Sequence, residues 1–210
     1  MKRLLAFILL LGGVDALADD MDNRVQAALE LEESTEIVAA LTREVLHGNL
    51  KAAHELGSMY LEGRHVQRDS AQAHAMFEMA GESVHYRNRY KLGYAESQFE
   101  LGRMNEDGIG VERDPESAAD WYERAAEQGH ARAQLALARI YADESTPPSG
   151  FDAAFFWALL AVRSYGLDEN DQAEARRILE AARSRLTPVE VDSLRRKVVN
   201  WSPALFGEAG

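Results

Sequence analysis

Large apolar residues in the middle of the chain recur at the spacing of an α-helix. Leu56 and Met59 are three positions apart, and Leu101 and Met104 repeat this spacing 45 residues later. Residues three or four positions apart lie on one face of a helix, so each segment predicts a helix with one apolar side. A glycine follows each leucine. Because such a small residue lets a neighbouring helix approach closely, the pattern predicts helices that pack against one another.

The same pattern returns when the chain is compared with itself. Residues 93–104 match 129–140 at an offset of 36 and match 48–59 at an offset of 45. Residues 62–69 match 107–114, again at an offset of 45. A period of roughly 34 to 45 residues that carries two helical patterns is typical of an α-solenoid built from helix pairs. The sequence therefore predicts an all-α superhelix, a short solenoid with capping helices at both ends.

Each unit also carries turn and capping residues between its two helices, here called helix A and helix B. Gly63 and Gly108 mark the turn, because glycine adopts a positive φ at little cost. Helix B is predicted to begin at Asp69 or Asp114, both good N-cap residues, and a proline follows Asp114 at the first helical position. The predicted buried face of helix B consists of Ala73, Phe77 and Ala80 in the first unit and Ala118, Tyr122 and Ala125 in the second.

The repeats divide the chain into four parts. An export signal is predicted at 1–18, N-terminal capping helices at 19–47, about three repeats at 48–166, and a C-terminal helical cap and tail at 167–210. The three repeats are predicted at 48–92, 93–128 and 129–166. The first repeat has about nine extra residues. We therefore expect 82–92 to form either a longer helix B or a loop between repeats.

The N-terminus has the three parts of an export signal. The basic pair Lys2 and Arg3 is followed by the apolar run 4–11 and by an A-x-A cleavage sequence that ends at Ala18. The apolar stretch ends at Asp15, which leaves it well short of the roughly 20 residues that span a bilayer. We expect cleavage after Ala18 and a periplasmic or secreted protein that does not span a membrane once the signal is removed.

The second unit carries the residues of a known repeat. They are Leu101, Gly102, Met104, Asp107, Gly108, Gly110, Val111, Asp114, Ala118, Trp121, Tyr122, Ala125, Ala126, Gly129, Ala131, Ala133 and Gln134. This string closely resembles the Sel-one-like repeat (SLR), a relative of the tetratricopeptide repeat. The resemblance covers about 48–166 and is weakest where 145–150 replaces the glycine turn. It implies an exported bacterial adaptor in envelope assembly, signalling or host interaction.

The amino-acid composition excludes some kinds of site and of partner. The chain has 33 alanines, no cysteine and a net charge of -12. Alanine favours helices. The lack of cysteine excludes disulfides, thiolate metal sites and a cysteine nucleophile. The acidic balance argues against nucleic acid as a partner, because phosphate neutralisation requires clustered lysine and arginine.

No catalytic, cofactor or metal motif is complete. The sequence from Gly81 to His85 begins like a nucleophile elbow but lacks its closing glycine. Some secreted proteins of the resembled family carry a β-lactamase label, yet the Ser-x-x-Lys motif of that reaction is missing. Five of the six histidines, His47, His54, His65, His74 and His85, lie in the first repeat or directly before it. A metal site there stands as an alternative to scattered surface histidines. We predict no catalytic residue, no cofactor and no metal.

The leading hypothesis is a non-enzymatic scaffold that binds a protein or peptide along a concave surface lined by helix A of each repeat. If residues 56, 57, 59 and 60 face the core, the neighbouring registers are exposed. The candidate partner-binding residues are then Lys51, Glu55, Ser58, Glu96, Glu100, Arg103, Arg132 and Arg139. The competing hypothesis is a secreted hydrolase acting on cell-wall or peptide substrates, with carboxylates or histidines brought together only by the fold.

Overall fold

A computed structural model describes residues 33–82, 84–86, 89–91, 93–144 and 150–203. The predicted export signal and the start of the N-terminal cap lie outside these residues. The helices are α1 (33–46), α2 (Leu50–Glu62), α3 (Ser70–Gly81), α4 (Ala95–Asp107), α5 (Pro115–Glu127), α6 (Ala131–Ala142), α7 (Phe151–Arg163), α8 (Glu169–Arg183) and α9 (Pro188–Asn200). Within the described ranges, no helix combines the length and the apolar character needed to cross a membrane.

The helices pack in pairs, and the pairs pack in series. Helix A lies against helix B within each repeat, so α2 contacts α3, α4 contacts α5, and α6 contacts α7. Successive pairs meet through α3 with α4 and through α5 with α6, and α8 continues the series on α6 and α7. The core runs along this stack and reaches Val198 of α9. This arrangement confirms the predicted all-α superhelical fold.

The glycine in helix A sets how closely helix B can approach. A Cβ atom added at Gly57 would lie 2.8 Å from the Phe77 ring, and one added at Gly102 would lie 2.5 Å from the Tyr122 ring. Both aromatic rings are fully buried. Since ordinary carbon contacts are roughly 3.5 to 4.0 Å, no side chain larger than hydrogen fits at either glycine. The sequence pattern of a leucine followed by glycine therefore has the predicted physical cause.

The turns and caps form where the sequence places them. Gly63 and Gly108 end their helices with φ values of 75° and 71°. The Asp69 and Asp114 side chains each accept two backbone N–H bonds at the start of helix B. A reciprocal capping box between Thr187 and Glu190 begins α9. These bonds satisfy N–H groups that lack a partner within the helix.

Two buried glutamines join each repeat to the one before it. Gln98 Nε2 donates to the Gly81 carbonyl at the end of α3 (2.8 Å), and Gln134 Nε2 donates to the Ala126 carbonyl near the end of α5 (3.2 Å). The Ser164 hydroxyl donates to Gln134 Oε1 at 2.8 Å. A buried carbonyl without a partner is costly. Gln98 supplies a donor to the Gly81 carbonyl, whereas the Ala126 carbonyl also accepts from the Gly129 N–H at 2.9 Å, so Gln134 adds a second bond there.

The extra residues of the first repeat form the connection to the next repeat, the second of the two predicted alternatives, and contain a hairpin that was not predicted. A longer helix B is wrong, because α3 ends at Gly81. The connection to α4 instead contains a two-stranded antiparallel hairpin, β1 (Val84–Tyr86) and β2 (Arg89–Lys91), in which His85 pairs with Tyr90. This polar and aromatic insertion has no counterpart in the other repeats. Its backbone forms hydrogen bonds between two antiparallel strands.

Candidate functional site

The eight predicted partner-binding residues lie on α2, α4 and α6, the helices A of the three repeats. We call the side of these helices that carries them the A-helix surface. Lys51, Glu96, Arg103, Arg132 and Arg139 are exposed, and Glu55, Ser58 and Glu100 are partly buried. A helix exposes such positions when its apolar stripe faces the core.

Three of the predicted residues converge on one cavity. Arg103 of α4 and both Arg132 and Arg139 of α6 line it, together with Asp171 of α8. Its volume is about 250 Å³. The remaining lining residues are Phe99, Glu106, Asp107, Tyr122, Leu135 and Ala136. We call this cavity the arginine pocket. The structure thus brings together side chains from two repeats and from the helix that follows them.

Each arginine of the pocket pairs with a carboxylate. Arg139 Nε lies 3.1 Å from a Glu174 oxygen, and Arg132 Nε lies 3.8 Å from an Asp171 oxygen. Both carboxylates belong to α8. Arg103 pairs instead with its own helix, through Glu100 at 3.1 Å. The three arginine side chains remain 45%, 56% and 52% exposed for positions 103, 132 and 139. Exposed pairs of this kind are weak, so they leave the guanidinium groups accessible to a ligand.

The buried side chain of Tyr122 forms part of the lining of the arginine pocket. The Tyr122 hydroxyl donates to Glu106 Oε2 at 2.6 Å. Burial of the ring, followed by this hydrogen bond and by the charge of the Glu106 carboxylate, raises the pKa of Tyr122 above its usual value. The phenol therefore stays protonated, and it holds the carboxylate in place as an acceptor. Arg103 and Arg139 act in the opposite direction on the pKa, which places both cations near this ring.

The opposite end of the A-helix surface is acidic. Three carboxylates, Glu55, Glu96 and Glu100, each favour the charged form of His54 through their charge. Burial is the largest effect, however, and lowers the pKa of His54 below its usual value of 6.5. His54 Nδ1 lies 2.9 Å from the Ser97 hydroxyl. Glu100 also pairs with Arg103, and acidic side chains line the arginine pocket beside its arginines, so the surface carries carboxylates at both ends and the three arginines at one.

The His54 and Ser97 pair does not have the geometry of a nucleophile and base. Ser97 is 0% exposed, so no substrate carbonyl can reach its hydroxyl. A second histidine, His74, has Nδ1 3.5 Å from Glu78 on the same helix, as side chains four positions apart commonly do. No three histidine or acidic side chains within the described ranges are placed to hold a metal ion. Ser83 of the elbow-like sequence lies outside the described residues.

Sequence reasoning did not identify the partners of the arginines. Asp171 lies in the first turn of α8, where its backbone N–H donates to the side chain of the N-cap Asp168 at 2.9 Å. A signal was nevertheless present. Arg132 and Asp171 are 39 positions apart, and Arg139 and Glu174 are 35 apart, each about one repeat length. Opposite charges about one repeat length apart can lie within reach of each other, here on α6 and on α8, which packs against it.

Fold and surface together define an α-solenoid repeat protein whose helices A carry a charged surface. A family model described as the Sel1 repeat matches residues 50–85, 95–130 and 131–164, about half of the chain. The protein belongs to the Sel1 repeat family, the same family named above as Sel-one-like.

Two solved structures share this fold. A Sel1 repeat protein from Oxalobacter formigenes is 23% identical, with a TM-score of 0.54 over 74% of this chain and 57% of that one. A protective antigen present in uropathogenic Escherichia coli strains, which displays an SLR fold, is 23% identical, with a TM-score of 0.55 over 77% of this chain and 32% of that one. The chain thus spans about half of the first protein and a third of the second. No curated protein matches the sequence.

Proposed function

We propose that this protein is a non-enzymatic adaptor that binds a protein or peptide partner along the A-helix surface. Sel1 repeats generally mediate protein–protein interaction. The observation that carries the proposal is the arginine pocket, where half-exposed cations from two repeats surround a cavity of about 250 Å³. Solenoids bind partners by presenting side chains from consecutive repeats.

The hydrolase alternative lacks a supporting site in the described residues. The pair that most resembles a catalytic dyad contains Ser97, which is fully buried. A general base must lie within hydrogen-bond reach of the proton that it removes, in a position that a substrate can also occupy. The His54 and Ser97 arrangement fails the second requirement, so it favours a packing role.

Photo-crosslinking tests which surface binds the partner. A photoreactive amino acid is placed at Lys51, Glu96 or Arg132 on helices A, and at the exposed Glu78 and Asp120 on helices B as matched controls. We expect an adduct of one common mass from the helix A positions and none from the helix B positions. Adducts formed equally from both sets, or only from helices B, would contradict the proposal.

We further propose that the adaptor works in the bacterial cell envelope after export. The basic pair, short apolar run and A-x-A sequence of residues 1–18 support this. Fractionation of cells that express the full chain, followed by mass spectrometry of its N-terminus, tests it. We expect a mature chain beginning at Asp19 in the periplasm or medium. A cytoplasmic chain that retains residues 1–18 would contradict export.

A further inference from the structure

The imidazole of His130 joins the second and third repeats. His130 is the N-cap of α6, and its Nδ1 accepts the backbone N–H of Ala133 at 3.2 Å. The same ring stacks on Phe99 of α4, with the ring centres 4.7 Å apart and the planes inclined by 27°. We propose that protonation of His130 releases both contacts, so that acid loosens the start of α6 and its junction with α4. This inference does not depend on the identity of the partner.

The first argument is the direction of the capping hydrogen bond. A backbone N–H can only donate, so Nδ1 of His130 is the unprotonated nitrogen and the proton of the neutral ring is on Nε2. Protonation places a second N–H donor opposite that of Ala133, and the hydrogen bond is lost. The ring must then turn away from Ala133. Because a side-chain N-cap stabilises its helix, the first turn of α6 frays when the cap is lost.

Other residues at equivalent places on helices A do not share this property. Asn49 caps α2 with a side chain that does not titrate, and Tyr94 begins α4 without a side-chain capping bond. His54 has its Nδ1 2.9 Å from the Ser97 hydroxyl. A hydroxyl can rotate to donate or to accept, so that contact is kept when His54 is protonated. Among the caps of α2, α4 and α6, His130 alone loses its hydrogen bond on protonation.

The second argument is the environment of the ring. Burial is the largest effect on the pKa of His130 and lowers it below the usual value of 6.5. Among the described residues, the charged groups that act on the ring are Glu96 on α4, which raises the pKa, and Arg132 on α6, which lowers it. The neutral, capping imidazole is therefore fully present above pH 6.5. Its contribution is lost as the pH falls from 6.5 through the folded pKa.

The third argument is what the ring contact leads to. Phe99 lines the arginine pocket together with Arg103 and Arg132, and its ring centre lies 5.7 Å from that of Tyr122. Arg132 follows His130 by two positions, in the first turn of α6. A change at His130 therefore reaches an aromatic wall and an arginine of the pocket. Acid thus alters part of the A-helix surface while the apolar core of each repeat stays packed.

Amide hydrogen exchange measured by NMR tests the cap. Protection factors, corrected for the effect of pH on intrinsic exchange, are compared at about pH 7.5 and about pH 5 on either side of the histidine range. We expect the Ala133 amide to lose about three- to tenfold protection at the lower pH. The matched control is the Ser117 amide of α5, which bonds the Asp114 carboxylate at 3.1 Å. This hydrogen bond lowers the pKa of Asp114, so its cap stays ionised and the protection should not fall.

Two variants separate the cap from general effects of acid. In His130→Asn, asparagine supplies a capping acceptor that does not titrate, so protection of Ala133 should no longer depend on pH. In His130→Ala the cap is absent, so protection should be low at both pH values. Fluorine NMR then tests the ring contact, with 4-fluorophenylalanine in place of Phe99. We expect a resonance that titrates with a midpoint below 6.5, that is constant in His130→Asn, and that is unchanged by His54→Asn.

Several results would overturn the inference. These are equal protection of Ala133 at both pH values, an equal fall in His130→Asn, and an equal fall at Ser117, which would show a general loss of structure in acid. A fluorine resonance that does not titrate, or that titrates with His54, would likewise contradict it. None of these measurements involves a partner, so they are independent of the crosslinking that tests the adaptor function.

Discussion

The contact between Gly102 and Tyr122 gives a quantitative test of how helix A packs on helix B. In Gly102→Ala the new Cβ would lie 2.5 Å from Cδ1 and Cε1 of the ring. The overlap is about 1 Å relative to an ordinary carbon contact. Tyr122 cannot move aside easily, because its ring is 1% exposed and its hydroxyl is held by Glu106 at 2.6 Å. The helices must therefore separate or the ring must leave its rotamer.

The expected cost follows from two opposing effects. Overpacking of a buried site costs about 1 to 3 kcal/mol, and a fixed ring with a 1 Å overlap belongs near the upper end. Replacing glycine by alanine inside a helix contributes about 1 kcal/mol in the other direction. We expect Gly102→Ala to lower the free energy of unfolding by about 1 to 2 kcal/mol. Urea titration followed by far-ultraviolet circular dichroism measures this, with an unchanged denaturant slope.

A double-mutant cycle separates overpacking from other causes. In the Tyr122→Ala background the ring is gone, so the same Gly102→Ala change should be neutral or should stabilise by up to about 1 kcal/mol. Overpacking is shown if Gly102→Ala lowers the free energy of unfolding in the wild-type background but does not lower it in the Tyr122→Ala background. A neutral Gly102→Ala in the wild-type background, or an equal loss in both backgrounds, would show that the close approach to Tyr122 does not limit the packing of α4 on α5.

Three further predictions concern other contacts. Gln134→Ala removes a fully buried side chain that donates to the Ala126 carbonyl and accepts from the Ser164 hydroxyl. Loss of these two bonds should cost about 1 to 3 kcal/mol in urea titration, against less than about 0.5 for the exposed Gln72→Ala. His65 has a φ of 63°, and its Nδ1 lies 2.9 Å from the Ser34 hydroxyl. Because relief of the strain outweighs the loss of this exposed hydrogen bond, His65→Gly should raise the free energy of unfolding by up to about 0.5 kcal/mol, and a loss would contradict strain there. Because burial lowers the pKa of His54, the unfolded state binds more protons below the unperturbed value of 6.5. Stability should therefore fall as pH drops through 6.5 toward the folded pKa, and His54→Asn should reduce this slope.

Much of the fold was predictable because the residues that pack the helices recur at equivalent positions in successive repeats. Gly57 and Gly102 follow a leucine at equivalent positions, and both contact an aromatic ring of helix B. Asp69 and Asp114 likewise cap helix B in each repeat. A feature that recurs at the period of a solenoid is required by packing, so its spacing predicts its role.

Features that occur once, or that depend on a distant partner, were not predictable in the same way. The hairpin formed by Val84–Tyr86 and Arg89–Lys91 has no counterpart in the other repeats, and local propensity left a helix and a loop both open. The arginines of the candidate site were identified as exposed helix A positions. Their convergence with Asp171 and Glu174 depends on how α8 packs on α6, which no local pattern specifies.

Each glutamine contact joins a helix to a side chain that is synthesised later, so these hydrogen bonds form in a fixed order during synthesis. Gln98 donates to the Gly81 carbonyl at the end of α3, so this bond forms only after the ribosome has added residue 98. The Ala126 carbonyl of α5 already accepts from the Gly129 N–H, and Gln134 adds a second bond later. The first helix pair can form its own apolar contacts early, yet the Gly81 carbonyl lacks its Gln98 donor until residue 98 has emerged. A chain stalled between repeats would expose an unfinished helix end to chaperones and proteases, whereas a finished chain would not.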